Sequence, residues 1–181
     1  MVTELVTARL LLRHWRPEDS RPFAGMNADP EVMRHFPGTL EAGDSDALLH
    51  RIATDLDERG WGLWALEERS SGRLLGFTGL APVLLEVPFA PGVEIGWRMV
   101  RSHWGQGLAT EAARAAGAFA FDALSIPELV AFTASGNERS RAVMRRLGMT
   151  RDPADDFEHP LLPEGHPLRS HVLYRLWRAA S

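Results

Sequence analysis

One stretch of the chain, Val93-Glu-Ile-Gly-Trp-Arg-Met-Val-Arg-Ser-His-Trp-Gly-Gln-Gly-Leu-Ala-Thr-Glu111, restricts the possible folds more than any other. It opens as a strand, passes through a glycine-bearing turn, and continues from Gly107 to Leu124 as an alanine-rich run without proline that predicts a long helix. A strand entering a helix this way aims the unpaired N–H groups of Gly105, Gly107, Leu108 and Ala109 at a common point. The helix dipole makes that point electropositive, and two glycines let a pyrophosphate approach the backbone closely. The pattern fits a nucleotide-type ligand; a Gly-x-Gly before a helix also occurs as a plain tight turn, and from pattern alone both readings stand.

Composition excludes several chemistries outright. All 20 basic residues are arginine, so the chain has no lysine, and it has no cysteine. Without lysine there is no Schiff-base chemistry and no P-loop of the GxxxxGK[ST] form. Without cysteine there is no disulfide framework, thiolate zinc site, iron–sulfur cluster or thiol nucleophile. The net charge of −4 supplies no overall basic field, so no nucleic-acid partner is expected. At 181 residues and 45% hydrophobic content, one domain spanning 1–181 is expected. Met1 to Leu12 lacks the apolar run of a signal peptide, and no run of about eighteen apolar residues occurs anywhere, so a cytoplasmic protein with no membrane partner is expected.

The coarse order of elements follows from periodicity and punctuation. Arg9 to Trp15 reads as a strand, and Pro17-Glu-Asp19 as the first turn of a helix. A second helix is expected around Asp29-Pro-Glu31. A third runs from Asp44 to Arg59, with Leu48, Leu49, Ile52 and Leu56 on one face and Gly60 as its stop. Strands at Trp61–Glu68 and Arg73–Pro82 flank the turn cluster Arg69-Ser-Ser-Gly72, and another spans Val93–Arg101. After the long helix come a strand at Glu128–Ala134, a helix from Asn137 to Leu147, and strands at Met149–Phe157 and Ser170–Trp177. The fold class is a mixed α/β (α+β) domain with a central, mostly antiparallel sheet of about seven strands flanked by helices.

These motifs, in this order, resemble the GNAT superfamily of acetyl-CoA-dependent N-acetyltransferases, specifically its branch related to the RimJ/RimL ribosomal-protein N-terminal acetyltransferases. The likeness runs through Thr7-Ala-Arg-Leu-Leu-Leu-Arg13, Asn27-Ala-Asp-Pro-Glu-Val-Met33, Leu75-Gly-Phe-Thr-Gly79, Glu94-Ile-Gly-Trp97, Trp104-Gly-Gln-Gly-Leu-Ala-Thr-Glu111, Asn137-Glu-Arg-Ser140 and Leu147-Gly-Met149, nearly the whole chain. One departure is Trp104 at the first position of the superfamily's [Q/R]-x-x-G-x-[G/A] pattern, which removes a polar phosphate contact. The resemblance implies acetyl-CoA as co-substrate with no metal. The main chain at Met99 and Val100 would meet the pantetheine arm, Gly105, Gln106, Gly107, Leu108 and Ala109 would hold the pyrophosphate, and Trp104 and Thr110 are further cofactor-binding candidates of the same segment. Asn137 has two roles open to it, N-cap of its helix and hydrogen-bonding partner of the cofactor.

Acetyl transfer from a thioester to an amine needs a neutral amine, a polarised carbonyl and a proton for the leaving thiolate. Direct attack in a ternary complex suits a chain without cysteine. Glu94, on the strand beside the turn, is the candidate base; a purely structural carboxylate is the other reading. Many superfamily members use a tyrosine on the late helix as acid, but the one tyrosine here, Tyr174, is in the last strand. Ser140 stands in the matching region as stabiliser or acid of the leaving sulfur, or simply bonds within its own helical turn.

The proline-rich segment holding His159, His166 and His171 matches no helical metal-binding spacing and is expected to border the acceptor cleft or a partner subunit. Phe36, Trp61 and Trp64 are candidates for the cleft wall. The acceptor is a protein N-terminus, with a ribosomal protein as nearest analogy, or a small-molecule amine. A homodimer is expected from the frequency of symmetric pairs. Two competing readings are a catalytically silent acyl-CoA-binding or sensory domain and a nucleic-acid module built on Arg139, Arg141, Arg145 and Arg146.

Overall fold

The computed structural model describes residues 2–178. The chain runs β1 (Leu5–Val6), β2 (Leu10–Arg13), α1 (Ser20–Asn27), α2 (Ala42–Arg59), β3 (Leu63–Glu68), β4 (Leu74–Pro82), β5 (Val93–Met99), α3 (Leu108–Asp122), β6 (Glu128–Ala134), α4 (Glu138–Arg146), β7 (Phe157–Glu158) and β8 (Ser170–Trp177). The eight strands form one sheet in the order β1-β2-β3-β4-β5-β6-β8-β7. Sequential neighbours through β5 are antiparallel; β5 and β6, joined by the α3 crossover, are parallel; β8 returns antiparallel to both β6 and β7. The expected meander, crossover unit and closing hairpin are all present, with one more strand than expected.

Alternation along the strands divides the core. Ile95 and Leu129 turn toward α3, each reaching the space beside Gly117. Trp64 is fully buried on that same side, its ring 5.5 Å from Phe119 of α3, and Trp61 packs partly buried against the core. The opposite face carries Phe77, which meets Phe23 of α1 at 6.1 Å. At the start of α1, the sealed guanidinium of Arg13 bonds both oxygens of Asp19, at 2.7 and 2.8 Å, and reaches Glu67 at 2.5 Å. Gly60 ends α2 in the left-handed conformation, φ +74°, as its position predicts.

Two expectations fail locally. No α-helix forms at Asp29–Glu31, because the Asp29 carboxylate accepts the Glu31 N–H at 2.8 Å and the lone helical bond from Met33 N to Asp29 O is not continued. The expected strand Met149–Phe157 is broken: Thr150 makes a single bridge to Arg175, Pro153 opens a short 3₁₀ turn capped by Asp152, and pairing resumes at Phe157. Among the described residues, no helix is long and apolar enough to cross a membrane.

Candidate active site

The site begins where the sheet opens. β5 and β6 share one register pair, Glu94 with Val130, and beyond it their carboxyl ends separate. A cleft of about 1360 Å³ fills the gap, lined by Glu94–Met99 from one strand and Phe132–Ala134 from the other. The Val100 N–H donates to Leu75 O at 2.8 Å, so ladder alternation turns the main-chain groups of Trp97 and Met99 toward β6 and the opening. Met99 therefore stands where a main-chain partner is expected. Val100 does not: its N–H is spent on β4, its carbonyl accepts from His103 N, and it is not part of the cleft lining.

Below the opening lies the N-terminus of α3. Gly107 is its N-cap at φ +78°, with no side chain capping the first turn, and Gly105 has φ +76°. The N–H groups of Gly105, Gln106 and Gly107 reach no backbone carbonyl, and the first helical amides cannot find one within the helix. The Thr110 hydroxyl is sealed from solvent without a partner among the described residues. Uncapped amides, a dipole end and an orphaned hydroxyl are a donor set suited to a phosphate-type anion. The turn is held from outside. Arg9 donates from Nη1 to Gln106 O at 2.9 Å and from Nε to Glu111 at 2.7 Å, while Thr7 donates to Glu111 at 2.6 Å. Trp104 gives its indole N–H to Met99 O at 2.9 Å and lies under the Arg139 guanidinium at 4.5 Å, so it braces the turn rather than offering a polar group to the cleft.

The second wall comes from α4. Asn137 accepts the Ser140 N–H at 3.3 Å and donates to Thr133 Oγ1 at 2.9 Å, which is the capping role, performed at the cleft edge. Among the described residues the Ser140 hydroxyl has no hydrogen-bond partner, and it lines the cleft half-buried; the bond within its own turn is made by its backbone instead. Arg139, Arg145 and Arg146 also line the cleft, whereas Arg141 turns to Glu138 and Ser135 O. A second depression of about 680 Å³ shares Gly107, Thr110 and Arg146 with the cleft.

Glu94 and Arg98, two residues to either side of Gly96, point to the face opposite the one on which Ile95 meets α3. Glu94 is half-buried in the cleft, has no hydrogen-bond or ion-pair partner among the described residues, and burial pushes its carboxyl up to about 7. Beside it Phe132 joins Phe89, Phe157 and His171 in an aromatic cluster, with His159 at 4.9 Å from His171. Burial lowers the pKa of both histidines. His159, Leu162, Leu168 and His171 line the cleft, as does Phe36 among the three aromatic candidates; Trp61 and Trp64 do not. Tyr174 is buried on the helix-packed side, away from the cleft.

Sequence reasoning missed Arg98, Phe132 and Glu111. Glu111 sits inside the motif segment, but its partners Thr7 and Arg9 lie about a hundred residues away in sequence. Phe132 and Arg98 become site residues only through strand register.

A family model described as an acetyltransferase (GNAT) domain matches residues 9–150. The chain is 32% identical over 81% of its length to YkkB of Bacillus subtilis, covering 85% of that protein. It is 33% identical, again over 81% of its length, to the FsC-acetyl coenzyme A-N(2)-transacetylase of Aspergillus fumigatus, of which it spans 64%. Among solved structures, an acetyltransferase from Agrobacterium tumefaciens superposes with a TM-score of 0.78 at 27% identity, covering 98% of this chain and 96% of the other.

Proposed function

Because the chain belongs to the acetyltransferase (GNAT) domain family, and is thus an acyltransferase that draws on acetyl-CoA, we propose that it is an N-acetyltransferase of the RimJ/RimL-like branch acting on a primary amine by direct attack in a ternary complex. The observation that carries this reading is Glu94, an unpartnered carboxylate in the cleft whose burial sets its pKa to about 7. A base poised there holds a proton from an ammonium long enough to free the amine at neutral pH, directly or through one water.

Acetyl-CoA supplies an activated acyl group as a thioester. The uncapped amides of Gly105, Gln106, Gly107, Leu108 and Ala109, with the orphaned Thr110 hydroxyl, are the groups that would hold its pyrophosphate. Trp97 and Met99 offer main-chain groups along the opening strand. The Ser140 hydroxyl, free of protein partners, donates a hydrogen bond to the departing sulfur, and its high intrinsic pKa makes it a stabiliser more than a proton source.

Two measurements test this reading. Acetyl-CoA at a hundredfold excess over its Kd should stabilise the chain by roughly 2.7 kcal/mol in a thermal melt, with ATP and NAD as controls. Thiol release in the presence of N-terminal peptides and small amines should then appear in the wild type and fall by roughly 10²–10⁴-fold in Glu94→Gln. Selective stabilisation with no thiol release from any amine would mark a silent acyl-CoA-binding domain instead.

A further inference from the structure

The acceptor's chemistry is written at Arg98, an inference that rests on the acetyl-transfer reading above. Arg98 stands opposite Phe77 on the sheet face that also carries Glu94, away from the face packed on α3. Its guanidinium lies 4.2 Å from the centre of the Phe36 ring and 5.3 Å from that of Phe77. Nη1 donates to Asn27 Oδ1 at 2.7 Å, and the Asn27 amide is itself fixed by donating to Ser45 Oγ at 2.9 Å. The side chain is thus held in place from three sides.

What it lacks is an anion. Other strongly engaged arginines meet carboxylates: Arg13 with Asp19 and Glu67, Arg151 with Asp156, Arg175 with Glu128 and Asp155. No ion pair involves Arg98 among the described residues. Among the described residues its Nε is sealed without an acceptor and its Nη2 makes no hydrogen bond, and Arg98 lines the cleft. Burial draws its pKa down to about 10, so it remains charged at neutral pH. A fixed, desolvated cation without a counter-charge is unfavourable unless a ligand provides one. The phosphates of the acyl donor are poor candidates, since their donor set at the start of α3 lies across the sheet.

We propose that the acceptor amine carries a carboxylate and that Arg98 pairs with it, while Glu94, four residues earlier on the same strand face, receives the amine. Guanidinium suits a carboxylate because its planar N–H groups match the two oxygens, and the flanking rings exclude the water that would weaken the pair. A free amino acid and a peptide N-terminus followed by an acidic side chain both satisfy this chemistry.

Calorimetric titration of the wild-type chain saturated with CoA, which cannot turn over, tests the pairing. The probes are matched pairs: an L-amino acid against its amide, β-alanine against β-alaninamide, and the tripeptide amides Ala-Glu-Ala and Ala-Gln-Ala. In at least one pair the carboxylate member should bind about tenfold or more tightly, and the pair that shows it separates free amino acid from peptide. In Arg98→Gln the preference should collapse while CoA affinity is retained; Arg98→Lys should keep part of it. Equal binding within every pair in the wild type overturns the proposal whether or not the variants fold. So does a preference that survives in Arg98→Gln, or a matching loss of CoA affinity. Failure of the wild type to bind CoA at all is a different result, and it overturns the acetyl-transfer reading itself.

Discussion

Glu94 and Val130 face each other at the one register position that joins β5 to β6. Beyond this pair the sheet has no ladder between the two strands, and the Glu94 carboxylate is left at the inner end of the cleft. Its position makes it the last anchored group before the opening. Its burial, with no partner to compensate, raises its pKa to about 7.

A base must be ionised to act, so kcat/KM in the wild type should fall as pH drops through about 7, following the Glu94 carboxyl. Glu94→Gln should lower the rate by roughly 10²–10⁴-fold and abolish that acid limb, leaving the titration of the amine itself. A limb near 7 that persists in the variant would assign it to another group.

The same carboxyl makes a prediction of opposite sign for stability. A folded-state pKa raised above the ordinary value of 4.5 means the folded chain binds more protons than the unfolded one between about 4.5 and 7. The contribution of this group to stability therefore declines as pH rises through that window, and the full penalty applies above it. Glu94→Gln should be more stable than the wild type at pH 8, on the order of 1–3 kcal/mol, and nearly equal to it at pH 4. Thermal melts at the two pH values check this, and a less stable variant at pH 8 would contradict the desolvation account.

Gly107 and Gly60 both adopt left-handed backbone, at φ +78° and +74°, but only Gly107 belongs to the α3 turn. Alanine at either site should cost about 1–2 kcal/mol by melting. Only Gly107→Ala should weaken acetyl-CoA binding, by about tenfold or more, when both are titrated calorimetrically. Similar affinities would separate the turn from the phosphates.

Asp19 supplies a contrast remote from the cleft. Removing it by Asp19→Ala leaves the sealed Arg13 cation with Glu67 alone, and the expected loss is about 3–5 kcal/mol in urea unfolding. Acetyl-CoA affinity, measured where the variant is folded, should not change. A loss below about 1 kcal/mol would mean that water reaches Arg13 and replaces the carboxylate.

Local signals carried most of the element order. Gly60 closes α2 because its left-handed conformation excludes most residues, Asn137 caps α4 because its side chain reaches the first-turn amide, and the α3 turn is legible because its glycines and the uncapped helix start are contiguous. Where local signals competed, the pattern misled. Asp29 and Pro30 look like a helix start, yet the Asx bond to Glu31 makes a turn, and Pro153 breaks a strand that hydrophobic content alone would extend.

Contiguous residues supplied the glycine turn before α3, the strand that carries Glu94 and the exclusion of thiol and lysine chemistry, while leaving an anion nest and a plain tight turn equally compatible with the glycines. Long-range packing set the rest: β5 and β6 part after a single pair, Glu94 is half-buried in the cleft, Arg98 lies between Phe36 and Phe77 with no ion pair among the described residues, and Phe132 and His171 form the neighbouring wall. Each of these depends on strand register and on partners distant in the chain. A side chain's face is set by the strand beside it, and its pKa by whatever the fold packs around it; neither is contained in the residue's own neighbourhood in sequence.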